Sequence, residues 1–259
     1  MPRRPINPPR VRNVSLARAI SKLGLSSRSI AAKLIDGRRV SVNGTIVADP
    51  DFRCSLESDV IAIDGAVPPR QKDLYIVMNK PAGIVTTRSD EHGRKTVYDV
   101  LGDPGQWIFP VGRLDRDTSG LLILTNDHRL GERLTNPASG IQKTYRVRVA
   151  PPLADDHRRV FESGMTLQGE RLLPAAVKRR GSDSFELTIS EGKNRQIRRM
   201  CESLGYAVLS LERIRIGGLR LKGLSPGRWK VLTRDEITAL LFPRPAGSRA
   251  GTAPRGHAR

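Results

Sequence analysis

One loop of this sequence places two aspartates and two arginines between a pair of glycines. It reads GRLDRDTSG, from Gly112 to Gly120, and the apolar run LLILT follows it directly. A polar loop that leads into a buried strand can hold a side chain rigidly at a cleft. Asp115 lies between Arg113 and Arg116, whose positive charges favour an ionised carboxylate. Such a carboxylate can act as a nucleophile, a general base or a metal ligand.

The same loop permits two other interpretations. Asp115 and Asp117 form the Asp-x-Asp pattern, the minimal magnesium-binding arrangement, which would suit a magnesium-dependent nuclease. Against that interpretation, no further acidic cluster follows at a clear ligand spacing. A loop aspartate is also commonly a turn or capping residue without any role in chemistry.

A second segment with chemical potential is EGKNRQIRRM, residues 191–200. Asn194 is a plausible N-cap for a helix over 194–204. At 100° per residue, Arg198 falls on the border between a polar face that carries Arg195 and Arg199 and an apolar face. A border arginine can extend into a cleft and bind a carboxylate through two hydrogen bonds. A solvated arginine face is equally consistent with the spacing. The apolar face is formed by Ile197, Met200, Cys201 and Leu204.

Both segments belong to a region in which strands outnumber helices and connections are short, so we predict a mixed, mainly antiparallel α+β domain. Strands are expected at 75–79, 121–125, 144–149, 185–189 and 207–216, and helices at 127–135, 154–163, 194–204 and 234–241.

A smaller unit is predicted before this region. Two short helices are expected, one after Ser15 and ending at Gly24, the other after Ser26 or Ser27 and ending at Gly37. A hairpin over 40–47 turns at Asn-Gly, and a strand at 60–64 follows. Residues 14–47 hold six Lys/Arg and one acid, whereas 48–65 hold one Arg and five acids, which indicates a basic binding face. The side chains expected to point inward are Leu16, Ile20, Leu23, Ile30, Leu34 and Ile35.

The net charge of +19 indicates a polyanionic partner. No apolar stretch is long enough for a membrane span, the N-terminus has no apolar signal segment, and no glycine-rich nucleotide loop occurs. Two separated cysteines give no zinc pattern and suit reduced thiols in a cytoplasm. The predicted organisation is a disordered basic arm (1–13), a small domain (14–66), a Pro-rich linker (67–73), a large domain (74–243) and a disordered basic tail (244–259).

The stretch SSRSIAAKLIDGRRVSVNG resembles the small RNA-binding domain named after ribosomal protein S-four. That resemblance implies a helix–helix–hairpin domain in front of the large one. It also implies that four basic side chains face RNA phosphates, namely Arg28, Lys33, Arg38 and Arg39.

The larger domain resembles the RsuA/RluB/RluF-type pseudouridine synthases. GRLDRDTSGLLILTND, KTY at 143–145 and EGKNRQIRRM resemble the three active-site motifs of that family, in the same order. NKPAGIV at 79–85 and LERIRIGGLRLKGLSPGRWKVLT at 211–233 are similar to the same branch of the family. The resemblance implies that Asp115 is the essential carboxylate, that Arg198 pairs with it, and that Tyr145 stacks on the target uracil and transfers a proton. Substrate contacts are then expected from Arg113, Lys193, Arg195 and Ile197.

The implied activity is isomerisation of a uridine in ribosomal RNA, with large-subunit 23S rRNA as the first candidate and small-subunit rRNA or transfer RNA as alternatives. The implied enzyme uses no cofactor and no metal. We expect a cytoplasmic monomer that binds ribosomal RNA or ribosomal precursor particles and no membrane. A non-catalytic RNA-binding factor for ribosome assembly is the alternative from another class.

Overall fold

The computed structural model describes residues 13–69 and 71–242. Almost all of the predicted basic arm and the whole predicted tail lie outside these residues. The described residues form two compact units, and the first combines 13–69 and 71–75 with Gly102–Phe109 and Leu124–Gly131. The second contains Ile76–Leu101, Pro110–Ile123 and residues 132–242. The predicted boundary at 67–73 stays a prediction.

The first unit begins with two short helices and a hairpin, as predicted. The Ser27 hydroxyl caps the second helix by accepting a hydrogen bond from the Ile30 backbone N–H at 3.2 Å. Asn43 and Gly44 both have positive φ, 51° and 83°, as a tight hairpin turn requires. The elements are α1 (Leu16–Lys22), α2 (Arg28–Asp36), β1 (Val14–Ser15), β2 (Val40–Val42), β3 (Thr45–Ile46), β4 (Arg53–Cys54) and β5 (Ile61–Ile63).

Two of the side chains predicted to point inward in this unit are exposed. Ile30 is 46% exposed, because the buried face of α2 is set by Ala31 and Ile35, four positions apart. Ile30 is five positions from Ile35, which places it about 140° away around the helix. Leu23 lies just after the last residue of α1 and is 38% exposed. Ser15 occupies the N-cap position of α1, but its side chain makes no capping hydrogen bond.

The second unit is dominated by a nine-stranded sheet. Its main path runs β12-β13-β9-β14-β8-β6-β16, with β15 on β14 and β7 on β8. All strand pairs with a defined register are antiparallel except β14 with β8, which confirms the predicted α+β class. The strands are β6 (Tyr75–Lys80), β7 (Phe109–Pro110), β8 (Ser119–Thr125), β9 (Lys143–Ala150), β12 (Ala176–Arg179), β13 (Ser184–Ile189), β14 (Ala207–Ile216), β15 (Leu219–Arg220) and β16 (Trp229–Val231), with a separate hairpin of β10 (Thr166–Leu167) and β11 (Glu170–Arg171).

Five helices accompany these strands. The last begins with a capping box, in which Thr233 and Glu236 each bond the other's backbone N–H. The helix predicted over 194–204 is shorter, and its N-cap is Arg195 rather than the predicted Asn194. No helix in the described ranges has the length and apolar character needed to cross a membrane. The helices are α3 (Val97–Leu101), α4 (His128–Thr135), α5 (Asp155–Ser163), α6 (Gln196–Glu202) and α7 (Arg234–Leu241).

Candidate functional site

A cleft of about 460 Å³ in the second unit is lined by most of the residues predicted to act in catalysis or substrate binding. Four segments that are distant in sequence form most of its lining: the loop 111–118, strand β9, residues 192–197 before and within α6, and strand β14. The structure thus brings together Asp115, Tyr145, Arg113, Lys193, Arg195 and Ile197. Arg198, the third predicted catalytic residue, is not among the residues that line this cleft.

The loop that carries Asp115 is held from behind by a buried lysine. Lys80 lies at the end of β6 with no exposed surface. Its Nζ donates to the carbonyls of Asp115 (3.2 Å), Arg116 (3.3 Å) and Thr118 (2.8 Å), and to that of Pro81 (3.0 Å). Burial lowers the pKa of Lys80 to about 8, because the charged form loses its hydration. One ammonium group therefore fixes the backbone at the candidate carboxylate and over the residues that follow it.

Two further contacts restrict the same loop. The Thr86 hydroxyl donates to the Leu114 carbonyl at 2.7 Å and accepts from the Leu114 N–H at 3.2 Å. Gly120 has a φ of +104°, and a Cβ there would overlap the backbone of Arg213 on β14. A glycine is required at this position because the parallel pair of β8 and β14 brings the two backbones into close contact. The end of the loop is therefore fixed to the centre of the sheet.

The other side of the cleft is formed by the turn into α6. Arg195 has a φ of +45°, a conformation that non-glycine residues rarely adopt. Buried Gln196 donates through Nε2 to Glu191 at 2.6 Å and accepts from the Lys193 backbone N–H at 3.0 Å, which closes the turn. The Lys193 ammonium is 3.1 Å from Glu170 and 3.4 Å from Glu191, so two carboxylates already neutralise this predicted substrate contact.

The arginine nearest to Asp115 is not the predicted one. Arg195 Nη1 lies 3.9 Å from Asp115 Oδ2, with the two side chains 49% and 34% exposed. Arg198 Nη2 instead donates to the backbone carbonyl of Asp117 at 3.0 Å. The predicted pair of Arg198 with Asp115 is thus not formed in this structure, because the Arg198 side chain ends at the loop backbone. Arg198 Nε is buried without a partner among the described residues.

The floor of the cleft is one face of the sheet. Tyr145, 9% exposed, lies on β9 directly opposite Arg213 of β14, so the two side chains share this face. Lys143 is two residues before Tyr145 and therefore points to the same side. Ile197 of α6 is 4% exposed and adds an apolar surface beside the tyrosine.

The four predicted phosphate contacts lie in the first unit, and all are exposed. Arg28 and Lys33 lie on α2, and Arg38 and Arg39 on the connection to β2. Arg39 Nη2 is bound to Asp64 at 2.6 Å, so its charge is partly neutralised. The other three form no ion pair within the described part of the chain.

The Asp-x-Asp pair points to two different partners. Asp117 Oδ1 is 3.1 Å from Nε of its neighbour Arg116, whereas Asp115 faces Arg195. Over 13–69 and 71–242, no three His, Cys, Asp or Glu side chains are grouped so that they could hold one metal ion.

Comparison with known proteins agrees with this geometry. Residues 74–203, half of the chain, match the family described as RNA pseudouridylate synthase. The chain belongs to that family. Residues 15–61 of this pseudouridylate synthase match the S4 domain, so both predicted resemblances are confirmed.

Relatives of this pseudouridylate synthase match it over most of their length. The chain is 36% identical to ribosomal large subunit pseudouridine synthase B of Bacillus subtilis (strain 168), covering 87% of this chain and 94% of the relative. It is 37% identical to ribosomal small subunit pseudouridine synthase A of Escherichia coli (strain K12), covering 85% and 96%. A crystal structure of a pseudouridylate synthase matches with a TM-score of 0.66 at 32% identity, covering 88% of this chain and 99% of that one.

Proposed function

We propose that this pseudouridylate synthase isomerises a uridine in ribosomal RNA and that Asp115 is its catalytic carboxylate. The observation that carries the assignment is the position of Asp115: its carboxylate borders the cleft, and its backbone is held by a fully buried ammonium group. A fixed carboxylate beside a tyrosine-lined surface suits a reaction on a base that has left its stack.

The reaction exchanges one glycosidic bond for another. The bond between uracil N1 and the ribose anomeric carbon breaks, and a bond from uracil C5 to the same carbon forms. The proton on C5 is lost and N1 gains one, so the atoms balance without a redox partner or phosphate donor. The Asp115 carboxylate can attack the anomeric carbon, attack the uracil ring, or stabilise positive charge on the sugar before proton loss.

Tyr145 and Ile197 provide the surface for the flipped base. Taking a base out of its stack costs a few kcal/mol, and stacking on an aromatic ring recovers ~1–3 kcal/mol. Only 4% of the residues are aromatic, so one well-placed tyrosine is expected to carry this contact rather than a broad aromatic platform. Arg113 and Arg195 border the same cleft and can bind the neighbouring phosphates.

Ribosomal RNA is the substrate class that we propose, because two relatives are named for its large and small subunits. Their identities of 36% and 37% are nearly equal. Large-subunit RNA is the first candidate, with small-subunit or transfer RNA as alternatives. We further propose that the enzyme acts as a monomer in the cytoplasm, without cofactor or metal.

The decisive experiment maps pseudouridines in both ribosomal RNAs and in transfer RNA from cells with and without this protein. Loss of a single site that purified enzyme restores in the presence of a chelator would support the proposal. No missing pseudouridine together with an assembly defect would favour the non-catalytic alternative. RNA cleavage that stops on addition of the chelator would favour a nuclease.

Tyr145→Phe is expected to keep RNA affinity within about twofold and to lower the single-turnover rate ~10²-fold, the scale for a lost proton-transfer group. The ring remains to stack on the base, whereas the hydroxyl is gone. Filter binding and single-turnover pseudouridine formation separate the two effects. Identical kinetics in the two proteins would show that stacking is the whole role of this residue.

Arg198→Ala is expected to cost ~1.5–3 kcal/mol of transition-state stabilisation, the scale of a hydrogen bond from a charged group, because the Asp117 carbonyl loses its charged partner beside the catalytic loop. Arg195→Ala is the matched variant. Its ion pair is long and half-exposed, a type worth about 0–1 kcal/mol, so we expect a rate loss below about tenfold. Single-turnover rates at saturating RNA decide between them, and the reverse ranking would make Arg195, and not the predicted Arg198, the essential partner of Asp115.

A variant in which Arg28, Lys33 and Arg38 are all changed to Gln is expected to bind RNA with a shallower salt dependence. Each lost phosphate contact lowers the slope of log affinity against log salt by ~0.7–0.9, about two in total. Arg39→Gln should change the slope less, because Asp64 already pairs with this arginine. An unchanged slope in the triple variant would show that these three side chains are solvated and do not contact RNA phosphates.

A further inference from the structure

Two basic side chains on the floor of the cleft have no part in the steps given above. Arg213 lies opposite Tyr145 in the antiparallel pair of β14 and β9, and Lys143 lies opposite Ile216 in the same pair. Opposite residues of an antiparallel pair have Cβ atoms ~4.5–5.5 Å apart. Both cations line the same cleft as Tyr145, the residue on which, in the proposed function, the uracil stacks.

Neither cation is neutralised. Arg213 is only 5% exposed; its Nε donates to the Leu121 carbonyl at 2.8 Å, while its Nη2 is buried and has no hydrogen-bond partner in the part of the chain that the structure describes. No carboxylate among residues 13–69 and 71–242 forms an ion pair with Arg213 or Lys143. Burial, and then the charge of Arg213, lower the pKa of Lys143. Two adjacent unpaired charges in a desolvated place are costly unless a ligand supplies negative charge.

The environment of Lys143 and Arg213 determines which part of a nucleotide can bind them. Phosphates of an RNA backbone remain close to water and are bound by exposed cations such as Arg113 at the rim of the cleft. Arg213, by contrast, is almost fully buried, and Ile189, Leu211 and Ile216 line the same floor. Charge–charge attraction is several times stronger in such a setting than in water. The base is the part of the nucleotide that enters this deep.

We propose that Lys143 and Arg213 bind the carbonyl oxygens of the target uracil and stabilise the negative charge that the ring acquires during the reaction. The inference rests on the proposed function and adds catalytic residues to it.

The charge follows from the bond changes. When the bond from N1 to the anomeric carbon breaks, its electron pair stays with uracil, and the anion is delocalised over N1 and both carbonyl oxygens. Attack of Asp115 on the ring would likewise place charge on a carbonyl oxygen. Reattachment through C5, loss of the C5 proton and protonation of N1 together return the ring to neutrality. Fixed donors aimed at such transient charge act as an oxyanion hole does.

A binding experiment tests the site without turnover. Barbiturate is a uracil-sized ring that is anionic at neutral pH, with its charge on the ring oxygens, whereas uracil is neutral. Wild-type protein is expected to bind barbiturate at least about tenfold more tightly than uracil, because charge-assisted hydrogen bonds are about twice as strong as neutral ones. Lys143→Met should remove most of this preference. Arg148→Gln is the control, since Arg148 is exposed and lies on the opposite face of the same strand.

Turnover supplies the second measurement. With RNA tritiated at uracil C5, Lys143→Met should lower the single-turnover rate at saturating RNA ~10²-fold or more, the scale for one oxyanion-hole donor, with an unchanged salt slope of binding. Arg213→Gln should do the same, provided that its thermal unfolding shows a folded protein. Weaker RNA binding, a shallower salt slope and a normal saturating rate would overturn the proposal and make the pair a phosphate contact.

Displacement of barbiturate by inorganic phosphate, or a preference for barbiturate that survives in both variants, would also overturn it. The anion site and the pseudouridine synthase activity are contradicted by different results. Wild-type protein that releases tritium but shows no preference for barbiturate leaves the proposed function standing and removes this site. Wild-type protein that prefers barbiturate but releases no tritium from any ribosomal RNA leaves the anion site and contradicts the proposed function.

Discussion

Asp115→Asn is expected to abolish pseudouridine formation, with a rate loss of more than ~10³-fold, while the protein remains folded. The two side chains are nearly isosteric, and Asp115 is held through its backbone carbonyl, which accepts a hydrogen bond from Lys80 Nζ, rather than through its carboxylate. The carboxamide, however, can neither attack carbon nor supply a full negative charge. The loop should therefore keep its position, and only the catalytic activity should be lost.

Asp117→Asn is the matched control for this prediction. Asp117 belongs to the same loop, but its exposed carboxylate pairs with its neighbour Arg116. We expect its single-turnover rate to stay within about threefold of wild type, on the scale of a surface ion pair. Rates should be measured at saturating RNA, and circular dichroism and thermal unfolding should confirm folding. Turnover of Asp115→Asn within tenfold of wild type, or equal losses in both variants, would refute the assignment of Asp115.

Lys80→Met is expected to lower the free energy of unfolding by about 1–3 kcal/mol, the scale for buried acceptors that lose their donor. Methionine fills a similar volume, but the carbonyls of Asp115, Arg116 and Thr118 would then be buried without their charged donor. The loop that carries the carboxylate should also lose its fixed position. A displacement of about 1 Å can cost ~10²-fold in rate, so the variant should be slow even at saturating RNA.

The pH dependence of unfolding identifies the lysine that is responsible. The folded-state pKa of Lys80 is lowered to about 8, whereas in the unfolded chain it has the ordinary value of about 10.4. Between these values the unfolded chain binds a proton that the folded protein lacks, so this group makes the free energy of unfolding rise with pH. Wild-type protein should show this increment from about pH 8 upward, and Lys80→Met should lack it.

Lys222→Met is the control, because Lys222 is an exposed lysine in the same compact unit. Its stability, rate and pH dependence should all match those of the wild type. Denaturant unfolding at several pH values, combined with single-turnover assays, provides the readouts. A Lys80→Met protein with unchanged stability would contradict the role of this lysine. A destabilised Lys80→Met protein with a normal rate would limit that role to folding.

The sequence by itself predicted several of the elements and indicated the loop of Asp115 as the candidate catalytic loop. The pattern of apolar residues placed β14 at 207–216 and α7 at 234–241 with the bounds that the structure has. The Asn-Gly pair located the hairpin of the first unit, and the motif GRLDRDTSG marked the loop of Asp115. These predictions succeed because periodicity, turn formation and motif spacing are local properties, which neighbouring residues express whatever the rest of the chain does.

Only the tertiary structure decided which side chains meet. A lysine at the end of an apolar strand was a signal that could have indicated Lys80, but its partners lie more than 30 positions away on another segment. The pairing of β14 with β9 likewise places Arg213 beside Tyr145, which no local spacing reveals. The turn at Arg195 brings that arginine to Asp115, whereas Arg198 extends to the loop backbone. The physical reason is the same in each case: ion pairs and hydrogen bonds depend on separations of a few ångströms, and long-range strand register sets these separations.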